Sequence, residues 1–505
     1  MIKQRPWLTL WRLVLEAQAP LSIGTGRGDG VNDMVLAHDA NGLPMLPASA
    51  CAGALRKAWA AAHVDGRQRA DDVFGYAEGD DGLVSRLAFS HGHIHDSTNR
   101  PVEGLDSRGR ADPLLKPLLE RRPSLRQRVR LNHRGAADDG ALFDRSVLPA
   151  GHRFSLELLL WSADGTQARA DTDRLEALLA NDTLRLGGAT RSGLGLLRVV
   201  RGHRGQFNLR FSEDFESFSG LGRSLADVGG LSSFEITASA AAPDRQAAIN
   251  VRLRPEAGFR FGGGTRSLQR PAPGKLANDL PVTEAHVAWA GTKAGAGGAM
   301  ASQARALVPA TGIKGPLSHR TAFHAHRREQ VHSGNWPPAA PAGAPPPPYD
   351  KTLHCPSVRA LFGWHAAGSA DSERGQAGVL GWSDLVLAPE SIRAATQWHN
   401  SIDRYTGGVR EGALFRTENL HAARAADDLL VFRITVDLNR ARNVGVSDLM
   451  LQDLEAALED LTKGRLALGA DSAGGQGFFT GSWQWEGRRP ELAPDPTPET
   501  QEQTA

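Results

Sequence analysis

Leu186-Gly187-Gly188, followed by Ser192-Gly193-Leu194-Gly195, returns late in the chain as Leu468-Gly469-Ala470, followed by Gly474-Gly475-Gln476-Gly477. A glycine-rich run that occurs twice asks for a search for internal repeats, which comes before any reading of single elements. Working outward, each glycine run closes a series of landmarks in one order. Leu21-Ser22-Ile23-Gly24 matches Phe259-Arg260-Phe261-Gly262, and Asp33-Met34-Val35-Leu36 matches Asp279-Leu280-Pro281-Val282. Leu46-Pro47-Ala48, with Gly53 and Leu55, matches Val308-Pro309-Ala310, with Gly315 and Leu317. Val73-Phe74-Gly75-Tyr76 matches Leu361-Phe362-Gly363-Trp364, and Gly140-Ala141-Leu142-Phe143 matches Gly412-Ala413-Leu414-Phe415. Conserved order with variable spacing reads as a tandem duplication.

The pattern inside each half alternates between strand and helix. Trp7–Glu16, Leu87–His93 and Phe154–Trp161 read as strands of the first half, and Ala248–Leu253, Val379–Leu387 and Leu429–Leu438 as strands of the second. Ser49–Ala62, Asp171–Leu179 and Ser447–Leu461 read as helices. Ser447 is placed to cap the last of these, whose Leu451, Leu454, Leu458 and Leu461 share a face. Strand, helix, strand, strand, helix, strand is the ferredoxin-like order, shared with RRM-type RNA binders. The expected fold class is therefore α+β, two tandem ferredoxin-like (RRM-like) domains. They are expected at 1–205 and 246–487, joined by a linker at 206–245 and followed by a disordered tail at 488–505. A Pro-rich insertion near 335–350 interrupts the second.

Composition sets limits. With 505 residues, 58 Lys plus Arg against 56 Asp plus Glu, the formal net charge is +2, so bulk charge cannot hold nucleic acid and any such binding must be local. Only two cysteines occur, Cys51 and Cys355, which excludes a disulfide framework and a cysteine-rich zinc finger. No apolar run reaches the ~18 residues of a membrane span, and Met1 to Trp7 has no apolar signal core. The expectation is a cytoplasmic protein with no membrane partner.

Both halves resemble the RAMP (repeat-associated mysterious protein) backbone subunits of type III CRISPR effector complexes. The family signature of Leu-Pro-x-Ile-Pro-Gly-Ser-Ser-Leu-Lys-Gly-x-Leu-Arg is similar to Leu43 through Arg56, with a second copy at Leu307 through Leu317. Asp403-Arg404-Tyr405-Thr406-Gly407 through Phe415 is close to another family run, and Asn132-His133-Arg134-Gly135 through Phe143 is a weaker copy. The resemblance implies a two-in-one backbone subunit, similar to those of type III-D-like systems. Its implied partners are a CRISPR guide RNA, the complementary target RNA and other subunits of the complex, in antiviral defence.

A guide-binding protein must accept any sequence, so it reads the RNA backbone through main-chain N–H groups at glycine loops and through Arg and Lys. Arg56, Lys57, Gly187, Gly188, Arg191, Ser192, Gly193 and Gly195 fit that role in the first half. Lys314, Gly315, Gly469, Ser472, Gly474, Gly475 and Gly477 fit it in the second. Any one of these glycines also reads as a plain turn. Cys51-Ala52 departs from the family's Leu-Lys, and Asp471 would repel phosphate unless turned away.

The resemblance places the target-cleaving aspartate at Asp33 and Asp279, with Asp29 and Asp39 as rivals for Asp33. Such a carboxylate would bind a divalent cation, Mg2+ first among candidates, or orient the 2′-hydroxyl for in-line attack. The alternative readings are a structural RNA-binding subunit with inert aspartates and a repeat-RNA processing endoribonuclease centred on His319, His324 and His326. Zinc is the lesser reading of the histidines at 319, 324, 326, 332, 354 and 365 with Cys355, because their spacing matches no compact knuckle. His91, His93 and His95 read as exposed strand histidines. The Arg-rich stretch from Asp96 to Arg130 reads as a thumb-like hairpin, with a shorter counterpart at Ala388 to Asn400. Asp403 and Arg404 read either as guide-adjacent residues or as a strand-end cap.

Overall fold

The computed structural model describes residues 4–25, 35–61, 66–120, 124–131, 137–180, 184–234, 245–270, 274–290, 298–301, 304–331, 354–364, 375–424 and 428–492. Asp33, the Asn132–Gly135 run, His332, His365, the proline run at 345–348 and the tail beyond 492 lie outside them.

The first unit contains β1 (Trp7–Ala17), α1 (Ala48–Ala61), β2 (Leu87–Phe89), β3 (Arg153–Ser162), α2 (Gly165–Leu179), β4 (Leu197–Asn208) and β5 (Ser232–Phe234). The second contains β6 (Gln246–Pro255), α3 (Ala310–Arg328), β7 (Leu380–Gly381), β8 (Leu430–Asp437), α4 (Asp448–Thr462) and β9 (Phe479–Trp485). The first sheet runs β5-β4-β1-β3-β2 and the second β7-β8-β6-β9, with every pair antiparallel. In each unit the first strand is central, flanked by the third and the fourth, and a helix follows the first and third strands. That is the ferredoxin-like α+β arrangement the sequence order implies.

Apolar periodicity builds the layers. Cys51, Leu55 and Trp59 recur on one face of α1 and are buried with Leu13, Leu15 and Leu158 of the sheet. In the second unit Leu451, Leu454, Leu458 and Leu461 of α4 cover Ile249, Val251 and Leu253 of β6. Ser447 caps α4 as expected, its Oγ accepting from the Met450 N–H. α2 begins earlier than Asp171, because the Asp164 carboxylate accepts from the Gln167 N–H and caps a further turn. Asp171 itself is buried against Arg86 at 2.9 Å.

Several expectations need correction. The strand expected over Leu87–His93 breaks after Phe89, and that over Val379–Leu387 breaks after Gly381. At both places the chain leaves the sheet edge to pair with the segment entering the preceding helix, Gly92 with Leu46 and Leu385 with Val308. His95 consequently turns inward. It is fully buried between Asn99 (2.9 Å) and Ser155 (2.8 Å), and burial pushes it down to about 4, so it is a neutral core histidine. The region expected as a linker begins inside β4, and β5 adds to the same sheet. Between them, buried Arg12 of β1 donates to the carbonyls of Gly222 and Asp227 and draws this segment over the sheet. The expected short counterpart at Ala388 to Asn400 is one strand of a hairpin, Ile392–His399 paired along its length with Phe415–Ala422. Asp403 is a cap in the loop of that hairpin. It accepts from Tyr405 and Thr406, and these bonds hold its carboxyl below the usual range.

The two units meet across a buried seam. Arg126 lies between Glu284 (2.8 Å) and Asp384 (3.1 Å), and all three side chains are nearly enclosed. The strand pair Val287–Trp289 and Ala299–Ala301 reaches back to the first unit, where Val287 donates to Ala150 and the Trp289 indole donates to Gly151. The Arg153 guanidinium lies 4.3 Å from the centre of the Trp289 ring.

Candidate nucleic-acid interface

The glycine runs are built on one plan. Gly188 donates to Ser22 and Ala470 to Arg260, each at 2.7 Å. Leu186 donates to Gly195 and Leu468 to Gly477, each at 2.8 Å; Gly195 donates to Pro20 and Gly477 to Gly258, each at 2.9 Å. Gly187 and Gly469 must be glycine. Their φ values are +85° and +88°, and a Cβ would stand 2.4 Å and 2.3 Å from the carbonyl oxygens of Ser22 and Arg260. These two glycines therefore serve loop-to-strand packing.

The same hydrogen bonds set the correspondence between units. Ala37 donates to Ile23 and Val282 to Phe261, which makes Ala37 the counterpart of Val282. The sequence match, which set Leu36 against Val282, is one place out of register. The stretch from Gly262 to Asp279 is longer than that from Gly24 to Asp33, so the match has no anchor there.

The first glycine loop turns toward the second unit. Gly193 bridges Ser383, and a Cβ on it would meet Asp384 and Ala310. Arg191 donates to the Asp437 carboxylate at 3.0 Å and to the Val379 carbonyl at 3.3 Å, while Arg185 donates to Trp382 and Ser383. Arg191, Ser192 and Gly193, expected on RNA, thus sit at a protein junction; a short basic glycine loop has the same composition in either role. Arg56 pairs with Asp71 inside the first unit. Ser472, Gly474 and Gly475 of the second loop are exposed.

A concentration of cations lines this junction. Burial pushes Lys314 down to about 8, and Arg128 and Arg191 add repulsion. Burial pushes Arg128 down to about 10, with Arg145 next in effect, and Arg185 down to about 10, with Arg191 next. Lys57 is lowered by burial and then by Arg191 and Arg440. In each of them burial is the first cause and a neighbouring cation the next, so these groups are withdrawn from water within reach of one another's charge. Arg145 was not singled out in the sequence, and Arg128 only as a member of the Arg-rich stretch from Asp96 to Arg130. Only the hairpin pairing that brings their strands together reveals them.

Asp279 stands at the other end of the second glycine loop. Its Oδ2 accepts from Arg260 Nη2 at 2.9 Å, its side chain is 42% exposed, and its Oδ1 lies beside Gly262. Arg260 is buried, its other arm donating to Asn419, and its carbonyl holds Ala470. One residue therefore ties the carboxylate to the glycine loop. The Asp279 backbone bridges that of Thr417, whose hydroxyl bonds the His399 Nε2 at 2.9 Å.

A hydrated magnesium ion takes one or two carboxylates and completes its shell from substrate phosphate and water. Asp279, with Oδ1 open, fits that requirement as the single protein carboxylate. Among the described residues no group of three or more His, Cys, Asp or Glu could hold a metal ion. His324 is instead bonded to Asp460 at 2.8 Å between α3 and α4. No helix among the described residues is long and apolar enough to cross a membrane.

The family model described as RAMP superfamily matches residues 14–198, most of the first unit. Among solved structures, a chain of the Type III-B Cmr-beta cryo-EM structure of the apo state is similar at 14% identity, covering 38% of this chain and 96% of that chain with a TM-score of 0.30. No curated protein matches the sequence.

Proposed function

We propose that this chain is a guide-RNA-binding backbone subunit of a type III CRISPR effector complex, composed of two RAMP units and cleaving guide-paired target RNA at Asp279, with Asp33 as the candidate that the sequence offers in the first unit. The observation that carries the RNA-binding part is the cation cluster of Lys57, Arg128, Arg145 and Lys314 at the crevice between units. A chain of net charge +2 concentrates its positive charge there, as phosphate-backbone recognition requires. Base pairing supplies sequence recognition and the protein reads the backbone, a division of labour known for guided DNA recognition.

At the second site Arg260 fixes one oxygen of Asp279 and leaves the other to orient the attacking 2′-hydroxyl. The 2′-oxygen bonds to phosphorus, the bond to the 5′-oxygen breaks, and the hydroxyl proton passes to solvent. Bound magnesium would supply neutralisation of the phosphate charge. The departing 5′-oxygen takes its proton from solvent.

The non-catalytic scaffold is the second reading. The Arg260–Asp279 ion pair favours it, since a carboxylate engaged by arginine is also a structural element. A repeat-RNA processing nuclease is disfavoured by the structural pairing of His324 with Asp460. The deciding experiment is cleavage of labelled RNA complementary to the co-purified guide, with magnesium, by wild type, Asp33→Asn and Asp279→Asn. Loss of a distinct cut in each variant with guide retained supports two sites. Guide bound and no cut from wild type selects the scaffold.

A further inference from the structure

Three positions that the first unit gives to the seam and its own core are put to a different use in the second. Leu21 bridges Leu148 as Phe259 bridges Leu420, which sets Ser22 against Arg260 and Val147 against Asn419. Val147 pairs with Ser124 and Asn419 with Ala395, so two residues further on Arg126 is the counterpart of Gln397. In the first unit Val147 is buried in the core and Arg126 reaches Glu284 and Asp384 across the seam. In the second unit Arg260, Asn419 and Gln397 are bonded to one another.

The bonds run in one direction from the carboxylate. Arg260 Nη2 lies 2.9 Å from Asp279 Oδ2, and Arg260 Nη1 donates to Asn419 Oδ1 at 2.6 Å. Asn419 Nδ2 donates to Gln397 Oε1 at 2.7 Å, and the same oxygen accepts from Gln476 Nε2 at 3.3 Å. A guanidinium has donors only, so Asn419 must turn its carbonyl to Arg260 and its nitrogen to Gln397, which leaves Gln397 to accept. Arg260 and Asn419 are buried, and Arg260 Nε has no partner among the described residues, so the direction of the guanidinium rests on its two outer nitrogens. The strand that carries Asn419 also holds the Asp279 main chain, which donates to Arg416 at 3.4 Å and accepts from Glu418 at 3.0 Å. One hairpin strand therefore fixes Asp279 twice, its backbone directly and its carboxylate through Arg260.

From this we infer that Asn419, backed by Gln397, is a positioning residue for the second site, acting on Asp279 through Arg260, and that the first unit lacks the device. The inference rests on the reading of Asp279 as the cleaving carboxylate.

Single-turnover cleavage by the co-expressed assembly tests it, with labelled RNA complementary to the guide, over a range of target concentrations. Asp279→Asn first identifies the cut that belongs to this site. A carboxylate misplaced by about 1 Å costs about 10²-fold, so Asn419→Leu should slow that cut about 10²-fold at saturating target and leave the half-saturating concentration unchanged. Adding Arg260→Met should give no further loss, because the two residues act as a unit. Gln397 is exposed and serves if Asn419→Leu fails to fold. Gln397→Met should slow the same cut, and Gln397→Glu, which keeps the accepting oxygen, should recover most of that loss. Exchange of the Glu418 amide should stay at the wild-type rate in Asn419→Leu. A wild-type rate in Asn419→Leu, a loss confined to target affinity, losses that multiply on adding Arg260→Met, or faster Glu418 exchange overturns the inference while the cleavage reading stands. A cut that survives Asp279→Asn ends the cleavage reading and the inference with it.

Discussion

Replacing Arg126 by methionine should open the seam between the units, and the loss should depend on pH in a defined direction. Arg126, Glu284 and Asp384 have side chains only 9%, 3% and 4% exposed. Removing the cation leaves two enclosed carboxylates facing each other, and orphaning a buried charge costs about 3–5 kcal/mol. The ceiling comes from protonation: keeping one carboxyl neutral at pH 7.5 costs ~5 kcal/mol if its ordinary value is near 4. Burial already raises both Glu284 and Asp384, and losing Arg126 raises them further. A carboxyl raised in the folded state is stabilising at low pH, and that contribution is lost as pH rises through its folded value. Lowering pH from 7.5 to 5.5 should therefore restore about 2.7 kcal/mol for each proton taken up. Hydrogen exchange at the Ala310 amide, which donates to Asp384, reads the opening locally. The Arg126→Met chain should exchange there about 10²–10³ times faster at pH 7.5, after correction for intrinsic rate, and recover toward pH 5.5. Adding Glu284→Gln and Asp384→Asn should restore most of the protection. Unchanged exchange at pH 7.5, or a loss indifferent to pH, refutes the electrostatic account of the seam.

Lys314→Met should weaken RNA binding and lower the slope of log affinity against log salt by about 0.7, the value for one single-strand phosphate contact. Because Lys314 is lowered to about 8, wild-type affinity should also fall between pH 7 and 9 as the ammonium loses its proton, while the variant stays flat over that range in a filter-binding titration. Gly469→Ala forces a Cβ against the Arg260 carbonyl at a left-handed φ, whereas Gly407→Ala is equally left-handed but faces open space. The second should cost about 1–2 kcal/mol in denaturant titration, and the first distinctly more, with displacement of Arg260 and hence of Asp279.

Much of the fold is legible in the sequence because it is local. The apolar run of β1, the Ser447 cap and the leucine face of α4 are statements about neighbouring residues, and they survive folding unchanged. What could not be read depends on distant partners. Nothing near His95 announces that Ser155 will meet it, and nothing near Ile392–His399 announces Phe415–Ala422. The site shows the same division. Lys314 and the glycine loops stand out by composition, but an arginine suited to phosphate is equally suited to a carboxylate, and Arg191 and Arg126 found carboxylates of the second unit. Arg260 holds Asp279 across a strand and a loop, a pairing no spacing rule records.

The buried ion triad also bears on dilution. Between separate chains, an interface built on desolvated charges must overcome the loss of translational freedom as well as the cost of stripping water from each ion. Here both faces belong to one polypeptide, further strapped by Val287 and Trp289, so each meets the other at a fixed effective concentration set by the tether. The cluster that holds Lys314 and Arg128 is then present in every molecule, however scarce the protein.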